Sequence, residues 1–148
     1  MKIRFAQIND YKIIAQNTVN LAGESENKNI SQKIALEGVK SIILNKNKGF
    51  ILIAEENKEI IGQLMITYEW SDWSNKNIWW IQSLYVVKEW RKKGIFTQLL
   101  KKVEKLALKN NIKTIRLYVH KENKTAINVY KNLEMVKAPY HIYELIFD

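Results

Sequence analysis

The stretch from Ile78 to Leu108 restricts the fold more than any other part of the chain. Ile78-Trp79-Trp80-Ile81-Gln82-Ser83-Leu84-Tyr85-Val86-Val87 reads as a buried strand, and Arg91-Lys92-Lys93-Gly94 as the core of a short basic turn. The residues from Ile95 onward read as an amphipathic helix. Ile95, Phe96, Leu99, Leu100, Val103, Leu106 and Ala107 share one face at i, i+3, i+4 spacing. Lys101, Lys102, Glu104, Lys105 and Lys109 fall mostly on the other.

A strand, a basic glycine-containing turn and a helix in direct succession have the makings of an anion site. The first helical turn has backbone N–H groups without internal partners, and the helix dipole favours negative charge there. Arg91, Lys92 and Lys93 add positive charge at the end where it opposes that dipole. Helix stability therefore does not account for them, whereas an anionic ligand does. Gly94 allows the backbone to bend closely around such a ligand. The alternative reading is a solvated charged loop ahead of a helix.

The length of 148 residues suits one domain spanning 1–148. No apolar run approaches the ~20 residues needed to cross a bilayer, and Met1–Asp10 has no continuous apolar core of the signal-peptide kind. With no cysteine, disulfides, thiolate metal sites and a cysteine nucleophile are excluded. Two histidines, His120 and His141, argue against a His-rich metal site, so no metal is expected. A cytoplasmic protein with no membrane association is the expectation. The net charge is +9, which raises the question of nucleic acid. Lys88–Lys113 holds nine basic and two acidic residues, so most of the excess lies around the anion turn and its helix. No Arg/Gly-rich or aromatic-pair pattern supports a nucleic-acid partner.

Elsewhere, residues 3–8 read as a first strand, with Asn9-Asp10 capping a helix over Tyr11–Leu21. A polar loop follows at Ala22–Asn29, and Ser31 caps a second helix through Leu44. Phe50–Glu55 and Ile60–Glu69 form a hairpin around Glu56-Asn57-Lys58-Glu59. Trp70–Asn77 turns the chain into the strand at 78–87. Asn110-Asn111 stops the main helix, and Lys113–Val119 alternates as a strand. Asn123 caps a short helix to about Leu133. Met135–Lys137 and Tyr140–Phe147 read as closing strands separated by Pro139.

Arg91-Lys92-Lys93-Gly94-Ile95-Phe96, following Leu84-Tyr85-Val86, resembles the coenzyme A signature Arg/Gln-x-x-Gly-x-Gly/Ala of the GNAT superfamily of acyl-CoA-dependent N-acyltransferases. Phe96 departs from it, standing where Gly or Ala is usual; its backbone N–H remains available, but its ring must point away from a diphosphate. About 30 residues on, Asn123-x-x-Ala126-x-x-x-Tyr130 resembles the second signature of that superfamily. Asn123 and Tyr130 are two helical turns apart and share a face, with Ala126 between them.

The resemblance implies an α/β (α+β) fold. Its mixed, mostly antiparallel central sheet would have about seven strands, flanked by four helices and splayed between strands 4 and 5. It implies acetyl-CoA as co-substrate. The thioester arm would pair with the backbone of Leu84, Tyr85 and Val86, and the diphosphate would sit on Arg91, Lys92, Lys93, Gly94, Ile95 and Phe96. Thr97 offers a further hydroxyl. Asn123 would bond the pantetheine arm, Ala126 would let it pass, and Tyr130 would protonate the departing thiolate. A phenol with pKa ~10 is a competent donor at neutral pH. The acceptor would be a small-molecule or protein amine. Glu24 and Glu26 are candidates to meet a cationic substrate. The strand at 78–86 carries no carboxylate, so either a water chain removes the acceptor's proton or a carboxylate from elsewhere does, with Glu69 and Asp72 the first candidates and His141 an alternative base. Tyr68, Trp70, Trp73, Trp79 and Trp80 are expected to divide between core and acceptor pocket. By analogy the domain could pair as a homodimer. Two other readings stay open: a non-catalytic acyl-CoA-binding domain of the same shape, and a basic nucleic-acid- or ribosome-associated domain.

Overall fold

The computed structural model describes residues 1–147. The chain runs β1 (Lys2–Phe5), α1 (Tyr11–Glu26), α2 (Gln32–Leu44), β2 (Gly49–Glu56), β3 (Glu59–Ser71), β4 (Lys76–Val86), α3 (Ile95–Lys109), β5 (Ile115–Leu117) and α4 (Lys124–Asn132). The sheet order is β1-β2-β3-β4-β5. The first four strands pair antiparallel, and β5 joins β4 in parallel.

Period-2 alternation in the central strands divides the core between the two faces of the sheet. Leu52 and Ala54 point to the side covered by α3, where they meet Leu99, Leu100 and Val103. Ile51 and Ile53 point to the other side and pack with Ile14, Val39 and Ile42 of α1 and α2. The apolar face of α3 is the one the i, i+3, i+4 spacing predicts: Ile95, Leu99, Leu100, Val103 and Ala107 are buried. Gly62 on β3 makes room for the start of that helix. A Cβ there would lie 2.9 Å from Cγ2 of Ile95.

Local capping chemistry sets several boundaries. Asp10 accepts from the Gln7 N–H at 2.7 Å and from two Arg4 nitrogens at 2.8 and 3.0 Å, tying the entry of α1 to β1. Ser31 caps α2 by accepting from the Ile34 N–H. Helix α1 runs to Glu26, five residues beyond the expected end at Leu21. Asn27 then stops it in the left-handed region (φ 52°), its N–H on the carbonyl of Ala22. The polar composition of residues 22–26 suits an exposed helical face as well as a loop, and the extension carries Glu24 over β4. Strands β3 and β4 likewise run further than expected, so the turn between them shortens to residues 72–75.

The sheet has five strands among the described residues, not about seven. The expected closing strands, Met135–Lys137 and Tyr140–Phe147, are absent: residues 135–147 have no regular secondary structure. Tyr140, Ile142, Tyr143, Leu145, Ile146 and Phe147 are exposed. Alternating apolar residues give a strand its propensity, but a strand forms only against a partner edge. The available edge, β5, is extended for three residues and stops at Leu117 rather than Val119.

Candidate active site

The strands separate where the sequence resemblance places a splay. Pairing of β4 with β5 covers Trp79↔Ile115, Trp80↔Arg116 and Ile81↔Leu117, then ends. Strand β4 continues to Val86 with no strand paired to that edge among the described residues. Its register against β3 slips between Gln82 and Tyr85, and Ser83 adopts φ 48° within the slip. This β-bulge places an L-residue in a sparsely populated region, as commonly seen beside functional clefts. The Val87 N–H donates to Ile61 of β3 at 3.0 Å. By alternation, the polar groups of Val86 face the open side. Arg91 Nε already donates to the Val86 carbonyl there, at 2.9 Å.

A cavity of about 580 Å³ fills the wedge, a size suited to a small-molecule ligand. Its walls are Ile81–Val86 of β4, Leu117–His120 at and beyond the end of β5, the last turns of α1, and Asn123, Ala126 and Tyr130 of the α4 segment. Arg91 stands at the end from which the basic turn departs.

That turn is shaped by two left-handed residues, Lys92 (φ 61°) and Gly94 (φ 76°). Gly94 is the N-cap of α3, and the first helical bond runs from the Gln98 N–H to the Gly94 carbonyl at 3.1 Å. The N–H groups of Ile95, Phe96 and Thr97 therefore have no backbone partner among the described residues. Such a concave run of amides at a helix N-terminus attracts anions. The side chains of Lys92 and Lys93 are exposed, and Lys93 Nζ lies 4.9 Å over the Trp90 ring.

Glu24 joins the two ends of the site. Its carboxylate accepts from Arg91 Nη2 at 2.6 Å and from the Tyr85 hydroxyl at 3.1 Å, with Lys88 Nζ at 3.6 Å. Burial pushes the carboxyl's pKa up. The hydrogen bonds from Arg91 and Tyr85, with the charges of Arg91 and Lys88, outweigh it and hold Glu24 below the usual carboxylate range. Burial, together with the Glu24 contact, raises the Tyr85 phenol. On the opposite wall, Asn123 Oδ1 accepts from the Ala126 N–H at 3.2 Å, capping α4 and leaving its amide nitrogen unused in that bond. Tyr130 lies two turns along, its phenol pKa raised by burial. The Phe96 ring meets the Tyr130 ring at 5.7 Å and 79°.

Of the residues expected from sequence, Leu84, Tyr85, Val86, Arg91, Asn123, Ala126 and Tyr130 all line the cavity. Lys92, Lys93, Gly94, Ile95 and Phe96 form the turn and helix start that follow Arg91. Glu69 and Asp72 are not part of the lining. Glu69 bonds Arg116 at 3.3 Å, and Asp72 is exposed in the 72–75 turn. His141 is exposed in the closing segment. None of the aromatic set lines the cavity: Trp79 is buried against Phe50 and Tyr68, Trp80 packs at 4.4 Å on the wall residue Tyr118, and Trp70 and Trp73 are exposed. Sequence reasoning does not find His120 as a wall residue, its Nδ1 accepting from the Glu122 N–H at 3.2 Å, nor the bulge at Ser83. It offers Glu24 only as one acid of a polar loop, since a contact across 67 positions leaves no local signal.

A splayed β4–β5 edge, an amide-lined turn and an opposing tyrosine helix together describe an acyltransferase, and the Acetyltransferase (GNAT) family model matches residues 18–135; the chain belongs to that family. It is similar to mouse thialysine N-epsilon-acetyltransferase, with 30% identity over 141 residues covering 89% of this chain and 82% of the relative. Among solved structures, it is similar to a possible acetyltransferase from Clostridium difficile 630, with 40% identity, TM-score 0.93, and 99% and 97% of the two chains covered. A predicted acetyltransferase from Clostridium acetobutylicum, solved with acetyl-CoA, shares the fold at 22% identity and TM-score 0.81, covering 97% of this chain and 95% of its own. The chain is thus an enzyme of the acyltransferase class.

Proposed function

We propose that the protein transfers an acetyl group from acetyl-CoA to a primary amine by direct attack in a ternary complex. The observation that carries this reading is the wedge opened where β4 leaves β5 after Ile81↔Leu117, with free helix-start amides at one end and Tyr130 on the facing wall. The diphosphate would take the N–H groups of Ile95, Phe96 and Thr97. The pantetheine arm would run along β4 past Val86, as an added strand does, with Asn123 and Ala126 opposite.

The amine nitrogen attacks the thioester carbonyl, the C–S bond breaks, and the leaving thiolate takes the Tyr130 proton. Burial raises the phenol's pKa and keeps it protonated at neutral pH. The attacking amine loses its proton to solvent in the open cavity. Glu24, held charged by Arg91 and Tyr85, is suited to receive a cationic acceptor rather than to take its proton. The mouse relative's name identifies thialysine as its acceptor, and thialysine is the first amine to test here. The reading also includes a homodimer. The open β5 edge and the exposed apolar residues 140–147 are complementary surfaces on one chain, and two copies would cover both.

The test follows free thiol release from acetyl-CoA in the presence of thialysine, polyamines and lysine peptides. Thiol release is expected, and Tyr130→Phe should keep acetyl-CoA affinity while lowering kcat about a hundredfold. Stabilisation by acetyl-CoA without thiol release on any amine would overturn the catalytic reading.

A further inference from the structure

We propose that Phe96 is a positioning residue, whose ring holds the Tyr130 phenol against the cavity wall. The inference rests on the reading of Tyr130 as proton donor and concerns the position where this chain departs from the Gly/Ala of the coenzyme A signature.

Tyr130 has little else to fix it. None of the side chains of α4 is fully buried, and Tyr130 itself is half-buried. Tyr85 has its hydroxyl bonded to Glu24, but the Tyr130 hydroxyl has no protein partner among the described residues. Packing must therefore set the direction of the ring. Phe96 provides it with an edge-on contact at 5.7 Å and 79°, the geometry that aromatic quadrupoles favour. Phe96 is itself held firmly. It follows Ile95, which is 4% exposed and seated on Gly62, and it packs at the margin of the α3 core together with Leu133, just beyond α4.

Phe96 also leaves the ligand path clear. Tyr130 lines the cavity and Phe96 does not, so the Phe96 ring backs the phenol while its N–H remains at the helix start. Gly or Ala at this position would leave that side of the Tyr130 ring unsupported. The departure from the signature thus gives a side-chain buttress and keeps the main-chain donor.

A double-mutant cycle with acetyl-CoA and thialysine tests this, alongside NMR of protein labelled with 13C at tyrosine Cζ, the Tyr130 signal being assigned from Tyr130→Phe. Phe96→Ala is expected to lower kcat about tenfold, with the acetyl-CoA Kd within about twofold of wild type. Phe96→Leu should recover part of the loss. In the Tyr130→Phe background, Phe96→Ala should change kcat less than about twofold, because a residue acting through Tyr130 has nothing left to act through. The Tyr130 resonance should move in Phe96→Ala, and its titration should fall toward the ordinary phenol value as water reaches the ring. Equal kcat losses in both backgrounds would overturn the proposal, as would an unmoved Tyr130 resonance and titration. If Tyr130→Phe leaves kcat intact, the proton-donor reading falls and the proposal of catalytic positioning falls with it. A moved resonance would then retain only the packing contact.

Discussion

Gly62→Ala adds one methyl group under the first residue of α3, and its effect can be worked from the structure. The new Cβ would lie 2.9 Å from Ile95 Cγ2, 3.5 Å from the Tyr85 carbonyl oxygen and 3.6 Å from Leu99 Cδ1. Carbon atoms prefer separations of about 3.5–4.0 Å, so the first contact must open by roughly 0.6–1.1 Å. Ile95 is β-branched and its Cγ2 sits one bond from Cβ, so rotamer change offers little relief. The start of α3 has to lift, carrying the amides of Ile95, Phe96 and Thr97 with it. Overpacking of this kind costs about 1–3 kcal/mol, or roughly 3–9 °C in Tm for a chain of this size. Donors displaced by nearly an ångström should weaken acetyl-CoA binding by at least about tenfold. Differential scanning calorimetry and isothermal titration with acetyl-CoA read the two effects. Gly38→Ala is the control. It lies within α2, where an added methyl group would meet nothing within 4 Å, and should gain about 0.4–1 kcal/mol. A Gly62→Ala protein with wild-type Tm and wild-type acetyl-CoA affinity would refute the close seating of α3 on β3.

Glu24→Gln removes the charge that Arg91, Tyr85 and Lys88 surround; it is expected to raise KM for a cationic amine about tenfold or more, leaving acetyl-CoA affinity within about threefold. An unchanged KM would remove Glu24 from acceptor recognition. Asp10 is held below the usual carboxylate range by its bond to Arg4, with burial opposing. Its stabilisation is therefore present above the unfolded carboxylate value of about 4 and is lost as pH falls through the lower folded value. Asp10→Asn should cost about 1–2 kcal/mol at neutral pH and flatten the acid limb of Tm against pH; a limb identical to wild type would refute the assignment. Light scattering of the full chain should give a dimer, and deletion of residues 140–147 a monomer. A monomeric full chain at micromolar concentration would refute the pairing.

Much of the site is legible in the sequence because its parts are local. The start of α3 after Gly94 follows from a glycine-ended basic turn meeting an i, i+3, i+4 run. The cap at Asn123 and the seven-residue spacing to Tyr130 are contained within one short helix. The end of pairing between β4 and β5 follows from the resemblance rather than from the residues themselves, and the register bears it out. Sequence expectations fail where they need a distant partner. Residues 135–147 have strand-like alternation, yet strand formation depends on an edge that β5 extends for only three residues. Glu69 and Asp72 lie close in sequence to β4, but the antiparallel turn puts them at the far end of the sheet, with Glu69 on Arg116.

The amino-acid order alone determined the amphipathic helix, the basic glycine-ended turn and the tyrosine helix, since periodicity, capping and glycine conformation operate within a few residues of backbone. Tertiary structure decided which of these meet. It brought Glu24 across to Arg91 and Tyr85, set the bulge at Ser83, placed Phe96 behind Tyr130 and left the closing segment unpaired. Each of those outcomes depends on contacts between residues far apart along the chain, whose energies exist only once the sheet has brought them together.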